Sequence, residues 1–462
     1  MLKFDKDRKT LMREEYNYEM QEVTEPNLFR DIYTYEMPPL MCFNHRTVPL
    51  NPAEDMWITD TTFRDGQQSL PPFTTEQIVK LYDFLHKLAG PNGVIRQSEF
   101  FLYTDKDKEA VNKCLEKGYE FPEITGWIRA NKEDLKLVKE MGLNETGILT
   151  SASDYHIFNK LKKKRRQALE DYLAIVKEAL EIGIMPRCHF EDITRADFYG
   201  FVIPFAQELM RLSKESGIPI KIRACDTLGY GVSHPGVMLP RNVNGIIYGL
   251  RRYAGVPSEL LEWHGHNDFY RATSNSVAAW LYGCSAVNGT LLGIGERTGN
   301  TPIEALMIEY IGLRGDLEEM DTSVITQVAE YFEKEMNYKI PSNQPLVGAN
   351  FNVTRAGIHA DGIMKDQEIY NIFDTEKVLN RPVDIGITDK SGVAGIAYWV
   401  NNRLKVPEKF KIDKNDPGVL AIKKWVDEEY AAGRTTGISD EEMWEQARIH
   451  FSEWVGYLHH ER

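Results

Sequence analysis

From Trp57 onward, short apolar or β-branched runs alternate with longer amphipathic stretches. The short runs fall at Trp57–Thr61, Val94–Phe101, Ile124–Ala130, Thr146–Ser151, Met185–Phe190, Pro219–Cys225, Leu260–His264 and Ala286–Leu292. Each has the length and composition of a buried strand. Between them, apolar residues return at helical spacing, as in Ile78, Leu81, Tyr82, Leu85 and Leu88, or in Leu135, Val138 and Met141 ahead of Gly142. Eight strands alternating with helices predict an α/β fold, a (β/α)8 TIM barrel rather than an open doubly wound sheet. An open sheet built for a dinucleotide would carry G-x-G-x-x-G after its first strand. Phe63-Arg64-Asp65-Gly66-Gln67-Gln68 stands there instead.

The barrel is expected over residues 55–325, after an N-terminal extension (1–54) rich in Tyr, Glu and Pro that wraps the barrel or a partner subunit. A mostly helical C-terminal extension (326–462) follows, with Trp425, Trp444 and Trp454 as packing anchors. A chain of 462 residues has room for this, since such barrels take about 250 residues. With 42% apolar and 27% charged residues the composition is that of a folded protein. No uninterrupted apolar run is long enough to span a membrane, and Met1-Leu2-Lys3-Phe4-Asp5 is charged, so a cytoplasmic address without a membrane partner is expected. A formal charge of −14 argues against nucleic acid as a partner. One local exception is Lys160 to Arg166 (KLKKKRR), which reads as a solvated face or as a dock for an anionic cofactor such as a nucleotide phosphate. Cys42, Cys114, Cys188, Cys225 and Cys284 show no C-x-x-C spacing and are expected to be reduced thiols.

In a barrel of this class, chemistry gathers at the C-terminal ends of the strands. Polar residues stand there throughout: Arg64 and Asp65 after strand one, Glu99 on strand two, Arg129 closing strand three, and Ser153 and His156 after strand four. Arg187, His189 and Glu191 share a face of strand five, Asp226 and Thr227 end strand six, and Gly293 to Asn300 follow strand eight. His264 and His266, two apart on strand seven, leave on the same side, so both imidazoles reach one point. Alone, the pair is either a metal-ligand couple or two hydrogen-bonded histidines at a strand end.

Taken together, Asp60 to Gln68, the His264/His266 pair and Gly295-Glu296-Arg297-Thr298-Gly299-Asn300 resemble the acyltransferases of the DRE-TIM metallolyase superfamily, over roughly residues 55 to 390. That group includes the 2-isopropylmalate, homocitrate and Re-face citrate synthases, which join acetyl-CoA to a 2-oxo acid. The resemblance implies a divalent metal held by Asp65, His264, His266 and Asn300, with Mn2+ ahead of Mg2+, Co2+ or Zn2+. It also implies that Arg64 stabilises the developing alkoxide, and that His359, Glu191 and Tyr370 surround the removal of a methyl proton from acetyl-CoA. His359 lies in Ala356-Gly357-Ile358-His359-Ala360-Asp361-Gly362, within the C-terminal extension. A homodimer is the expected assembly.

By the same resemblance, Arg187 and Thr227 hold the C1 carboxylate while Gln68 and Glu99 line the pocket. His189, beside Arg129 and near His156, suits a second carboxylate close to the reacting carbon. Asn131 and His189 stand where homocitrate enzymes carry His and Ser. These residues point to oxaloacetate, with 2-oxoglutarate and 2-oxoisovalerate as the alternatives. A retro-Claisen lyase would carry a reactive Cys in the turn after strand eight, where Glu296 and Arg297 stand. An amidohydrolase would place its H-x-H on strand one. A non-catalytic metal or CoA-binding protein would not need Arg64 or His359.

Overall fold

The computed structural model describes residues 2–5, 10–13, 17–32 and 47–455. Cys42 lies outside them. The chain divides into two compact units, Met1–Asp321 and Thr322–Arg462.

In the first unit eight parallel strands close into a barrel: β1 (Trp57–Asp60), β2 (Ile95–Phe100), β3 (Glu123–Arg129), β4 (Glu145–Ser151), β5 (Met185–Glu191), β6 (Lys221–Asp226), β7 (Leu261–Gly265) and β8 (Ala286–Gly289). The barrel shuts where Ala286 to Asn288 pair with Glu262 to His264 on one side and with Trp57 to Thr59 on the other. Eight helices alternate with the strands: α1 (Thr75–Ala89), α2 (Asp105–Leu115), α3 (Lys132–Glu140), α4 (Arg165–Glu181), α5 (Ile203–Ser216), α6 (Val243–Arg252), α7 (Ala272–Leu281) and α8 (Ile303–Arg314). Helix α1 shows why: Thr74 and Gln77 form a reciprocal capping box, and Ile78, Leu81, Tyr82, Leu85 and Leu88 bury the stripe its spacing predicts. Strand β8 ends at Gly289, short of the expected Leu292, because the chain turns there into a single 3-10 turn, Leu291–Gly293, with Leu292 at φ +57°.

The barrel interior is filled by charge rather than by branched apolar side chains. Arg64, Arg187, Arg223 and Lys221 face Glu99, Glu145, Glu262 and Asp65. At the N-terminal end Glu145 accepts from Lys221 Nζ (2.7 Å) and Gln97 Nε2 (2.8 Å) and pairs with Arg187 Nη1 (2.9 Å). One layer up, Arg223 is bidentate to Glu262 (2.8 and 3.0 Å), whose carboxylate also accepts from Thr59 Oγ1. Opposite charges so placed offset one another's desolvation, which an unpaired charge could not do.

Residues 17–32 strap this unit. Arg165, fully buried, is bidentate to Asp154 (2.8 and 2.7 Å) and reaches Asp197 (2.9 Å) and the Gln21 carbonyl (3.1 Å). Asn27 N donates to Asp154, Tyr155 OH to the Leu28 carbonyl, and Tyr18 stacks on Tyr199. Residues 17–32 therefore lie against their own barrel.

Glu304, in the first turn of α8, is buried with only backbone partners, accepting from Leu292 N at 3.1 Å. Burial pushes its carboxyl up to about 7. An acid whose folded pKa is raised stabilises the fold fully below the unfolded value of about 4.3, and that stability is lost as pH rises through about 7. Glu304→Gln should therefore gain on the wild type by about 1 kcal/mol per pH unit across that window. Melting temperatures of both proteins from pH 5 to 8 check this; a constant difference would contradict it.

The second unit contains α9 (Val324–Glu335), α10 (Gly357–Lys365), α11 (Thr375–Leu379), α12 (Val393–Arg403), α13 (Pro417–Ala431) and α14 (Asp440–His450), with a two-strand parallel pair, β9 (Val353–Thr354) and β10 (Asp384–Ile385). Its core holds Ile396, Trp399, Val400, Val419, Ile422 and Val426. Trp425, Trp444 and Trp454 pack against that core, as the sequence suggests. No helix among the described residues is long and apolar enough to cross a membrane. The four described cysteines are free and buried.

Candidate metal centre and active site

Asp65 follows β1 in the turn before Gly66–Ser69, and β7 carries His264 and leads into His266. Asn300 is brought beside His266 by an antiparallel bridge. Asp65 Oδ2 lies 3.4 Å from His264 Nε2 and 3.5 Å from His266 Nε2, and the two nitrogens are 3.2 Å apart. Three side-chain donors converging this closely on buried groups repel one another unless a proton or a cation sits among them. Asn300 Nδ2 donates to Asp65 Oδ2 at 2.7 Å, while its Oδ1 and His266 Nδ1 have no hydrogen-bond partner although buried. The oxygen and nitrogen donor set fits a divalent ion.

The surroundings preset these groups. Asn288 Nδ2 donates to Thr59 Oγ1 (2.9 Å) and to the Thr59 carbonyl (3.2 Å), which leaves its Oδ1 to accept from His264 Nδ1 at 2.7 Å. The proton is thus on Nδ1, and the Nε2 lone pair is free for a metal. Burial holds His264 down at about 3, reinforced by His266 and Arg223 against the pull of Asp65. Burial works to raise Asp65, but Arg64, the two histidines and Asn300 outweigh it and hold the carboxyl far below its ordinary value. Gly295 is required by close approach: a Cβ there would lie 1.9 Å from Asn300 Oδ1. Asn288→Ala should weaken metal affinity by about 10- to 100-fold with the three donors intact. Equilibrium dialysis checks this, and unchanged affinity would show that the Asn288 bond does not orient the ring.

A cleft of about 230 Å³ opens beside these donors, walled by Arg64, Asp65, Gln68, His189, Glu191, Thr227, His264 and His266. Arg64 Nε donates to Glu99 Oε2 (2.8 Å), its Nη1 to Asp65 Oδ1 (3.1 Å), and its guanidinium lies 5.3 Å from the Trp127 ring centre. It is a fixed, oriented positive charge. Glu191 accepts from His156 Nδ1 at 2.9 Å and from Ser151 Oγ, and Lys160 stands 3.5 Å away. Burial works to raise Glu191, yet His156, Ser151 and Lys160 bring it down to about 2, so it is a carboxylate at neutral pH.

Three residues expected at the pocket wall lie elsewhere. Arg187 is fully buried below the cleft, committed to Gln97, Glu99, Thr125 and Glu145. Glu99 is buried with it and supports Arg64 instead of facing the cleft. Arg129 is drawn aside into a bidentate pair with Asp134 (3.0 and 3.1 Å) and lines a separate rim cavity. His189 does reach the cleft wall, 3.3 Å from Glu99 Oε1, in space left by Gly147, where a Cβ would meet His189 Nε2 at 2.6 Å. Burial, then repulsion from Arg223, lowers it to about 3 despite Glu99, so it is a neutral imidazole.

Sequence reasoning gave no role to Trp127, Leu149, Cys225, Glu296 and Arg297, which complete the cleft wall. Trp127 and Leu149 show the strand parity that marks them as inward. Arg297 Nε donates to Asp268 (2.9 Å) and Nη2 to the Thr227 carbonyl (2.6 Å), tying together the loops after β6, β7 and β8. In the second unit, His359 on α10 and Tyr370 come together, both exposed, with ring centres 4.4 Å apart.

Residues 55–331 match the profile of the HMGL-like family. A citrate (Re)-synthase of Clostridium kluyveri is 58% identical, over 93% of this chain and 94% of its own length. The chain belongs to the HMGL-like family. A citrate (Re)-synthase of Syntrophus aciditrophicus is likewise 58% identical, over 98% of this chain and 72% of its own length. A 2-phosphinomethylmalate synthase of Streptomyces hygroscopicus is 35% identical over 92% of this chain and 96% of its own. As an HMGL-like barrel, the chain presents its donors where this fold gathers chemistry, at the C-terminal ends of the strands.

Proposed function

We propose that this chain is a metal-dependent citrate synthase, joining acetyl-CoA to the Re face of oxaloacetate and hydrolysing the resulting thioester. The observation that carries this reading is the 58% identity to citrate (Re)-synthases along nearly the whole chain. The converging Asp65, His264, His266 and Asn300 support it independently.

Those four residues would hold the divalent ion, Mn2+ by preference among Mn2+, Mg2+, Co2+ and Zn2+, which when bound polarises the 2-oxo acid carbonyl as a Lewis acid. Arg64, already fixed by Glu99 and Asp65, stabilises negative charge developing on that oxygen without having to reorganise. Thr227 offers a hydroxyl to the substrate carboxylate, and Gln68 borders the same cleft. Trp127 and Leu149 exclude water from the reacting carbon. Glu191, ionised and held by His156 and Ser151, serves as a fixed negative charge and hydrogen-bond acceptor rather than as a proton donor. His359 and Tyr370 serve the removal of the acetyl methyl proton, a task suited to imidazole. The assembly in this reading is a homodimer, and the location is the cytoplasm.

Thiol release from acetyl-CoA with Mn2+ or Mg2+, offering oxaloacetate, 2-oxoglutarate and 2-oxoisovalerate in parallel, tests the reading. A strong preference for oxaloacetate is expected. Preference for either other acid would make this a homocitrate or 2-isopropylmalate synthase, and no thiol release with any would contradict the enzymatic reading altogether.

A further inference from the structure

The basic run Lys160 to Arg166 is divided by the fold. Arg165 turns inward and is consumed by Asp154 and Asp197. Lys160 and Lys163, separated by the left-handed turn at Lys162 (φ +57°), instead border a cavity of about 590 Å³ on the barrel rim between the loops after β3 and β4. Lys132, at the N-terminus of α3, and Arg129 stand on the same cavity, and Leu161, Tyr172, Ala174 and Ile175 supply apolar wall. The cavity adjoins the catalytic cleft: Leu149 lines both, and Ser151, on the rim cavity, donates to Glu191 in the cleft.

We propose that this rim cavity binds the phosphorylated nucleotide end of coenzyme A, with Lys132, Lys160 and Lys163 as its phosphate contacts. The inference rests on the acetyl-CoA reading above and adds where the non-reacting end of that donor is held. A thioester placed over the cleft must run its long arm out along the rim, and the nucleotide at its far end is a polyanion carrying a flat apolar base. A chain of net charge −14 repels such a group over most of its surface. Here three ammonium groups and Arg129 stand around an apolar wall, outnumbering the carboxylates Glu133 and Asp171 on the same lining.

Their present partners do not prevent it. Lys163 pairs with Asp171 (2.6 Å), Lys132 with Glu178 (2.8 Å), and Lys160 approaches Glu191 at 3.5 Å. The lysine side chains are 35%, 56% and 54% exposed, in that order. Exposed pairs of this kind hold with about 0–1 kcal/mol, so a multiply charged phosphate displaces the single carboxylate readily. Arg129 is excluded from the contacts because Asp134 holds it bidentately.

The test compares acetyl-CoA with acetyl-pantetheine, which has the same reacting end and no nucleotide, in the metal-loaded full-length protein. In the double variant Lys132→Gln/Lys163→Gln, KM for acetyl-CoA should rise at least about tenfold, while KM for acetyl-pantetheine stays within twofold. Adenosine 3′,5′-bisphosphate should compete with acetyl-CoA in the wild type and lose at least tenfold in affinity in the variant. A KM for acetyl-CoA that does not move, or equal shifts for both thioesters, would overturn the assignment. Failure of the acetyl-CoA reading is distinguishable, because the wild type would then release no thiol from either compound. Equilibrium binding of the bisphosphate gives a second readout should the variant turn over too slowly.

Discussion

His266→Ala is expected to empty the metal centre and lower thiol release by about a thousandfold, the several kcal/mol that a Lewis acid contributes to charge stabilisation. His266 is the informative ligand to remove. Its Nδ1 has no hydrogen-bond partner and its Nε2 faces the other metal donors, His264 and Asp65, so loss of the ring removes contacts within the metal centre rather than between strands. His264, by contrast, is tied through Asn288 to Thr59, and its removal would disturb β8 and β1 as well as the metal. The variant should therefore melt close to the wild type while binding little metal. Metal content by elemental analysis, alongside thiol release and circular dichroism, separates the possibilities. Full activity without bound metal would refute the metal-dependent reading.

Glu99→Ala is expected to cost about 3–5 kcal/mol of stability, the usual consequence of removing one partner from a buried ionic cluster. Glu99 accepts from Arg64 Nε (2.8 Å), Arg223 Nη1 (3.0 Å), Arg187 Nη2 (2.8 Å) and Thr61 Oγ1 (3.0 Å). Burial works to raise its carboxyl, but Arg223, Arg64, His189 and Arg187 outweigh that and hold it well below its ordinary value. Without it, three guanidinium groups remain buried together with too few counter-charges. A fall in melting temperature of about 10 °C is expected. Glu99→Gln keeps the shape and should fall between the two, while also lowering kcat because Arg64 loses its anchor. An alanine variant melting within about 2 °C of the wild type would show that these cations are not held as described.

The barrel was legible because its signal is local: run length and periodicity within each βα unit need no knowledge of the rest of the chain. The metal donors were legible for a related reason. Two histidines at strand spacing fix their own geometry, and the turns bearing Asp65 and Asn300 carry distinctive sequences. Arg187 and Arg129 show what parity leaves out. Strand alternation gives the face of a residue but not its height along the barrel axis or its partner. Arg187 shares a face with His189 and lies about 6–7 Å deeper, where Glu99 and Glu145 claim it. Arg129 closes β3 but is captured by Asp134 at the start of α3. The ionic interior carries a local signal as well. Lys221-Ile222-Arg223-Ala224 alternates strictly, and two cations at inward parity call for buried carboxylates opposite, which Glu145 and Glu262 provide. The pairing of His359 with Tyr370 depends on the turn that follows α10, and no periodicity announces it.

The central claim is metal-dependent attack on one face of oxaloacetate, and the position of the new carbon atoms in the product tests it most directly. Citrate made from carboxyl-labelled acetyl-CoA and unlabelled oxaloacetate, with and without divalent metal, would be cleaved by a citrate lyase that removes the pro-S acetyl arm. The account predicts that citrate forms only with metal and that the label stays in the oxaloacetate fragment. Label released in the acetyl fragment, or labelled citrate formed equally well without metal, would contradict it.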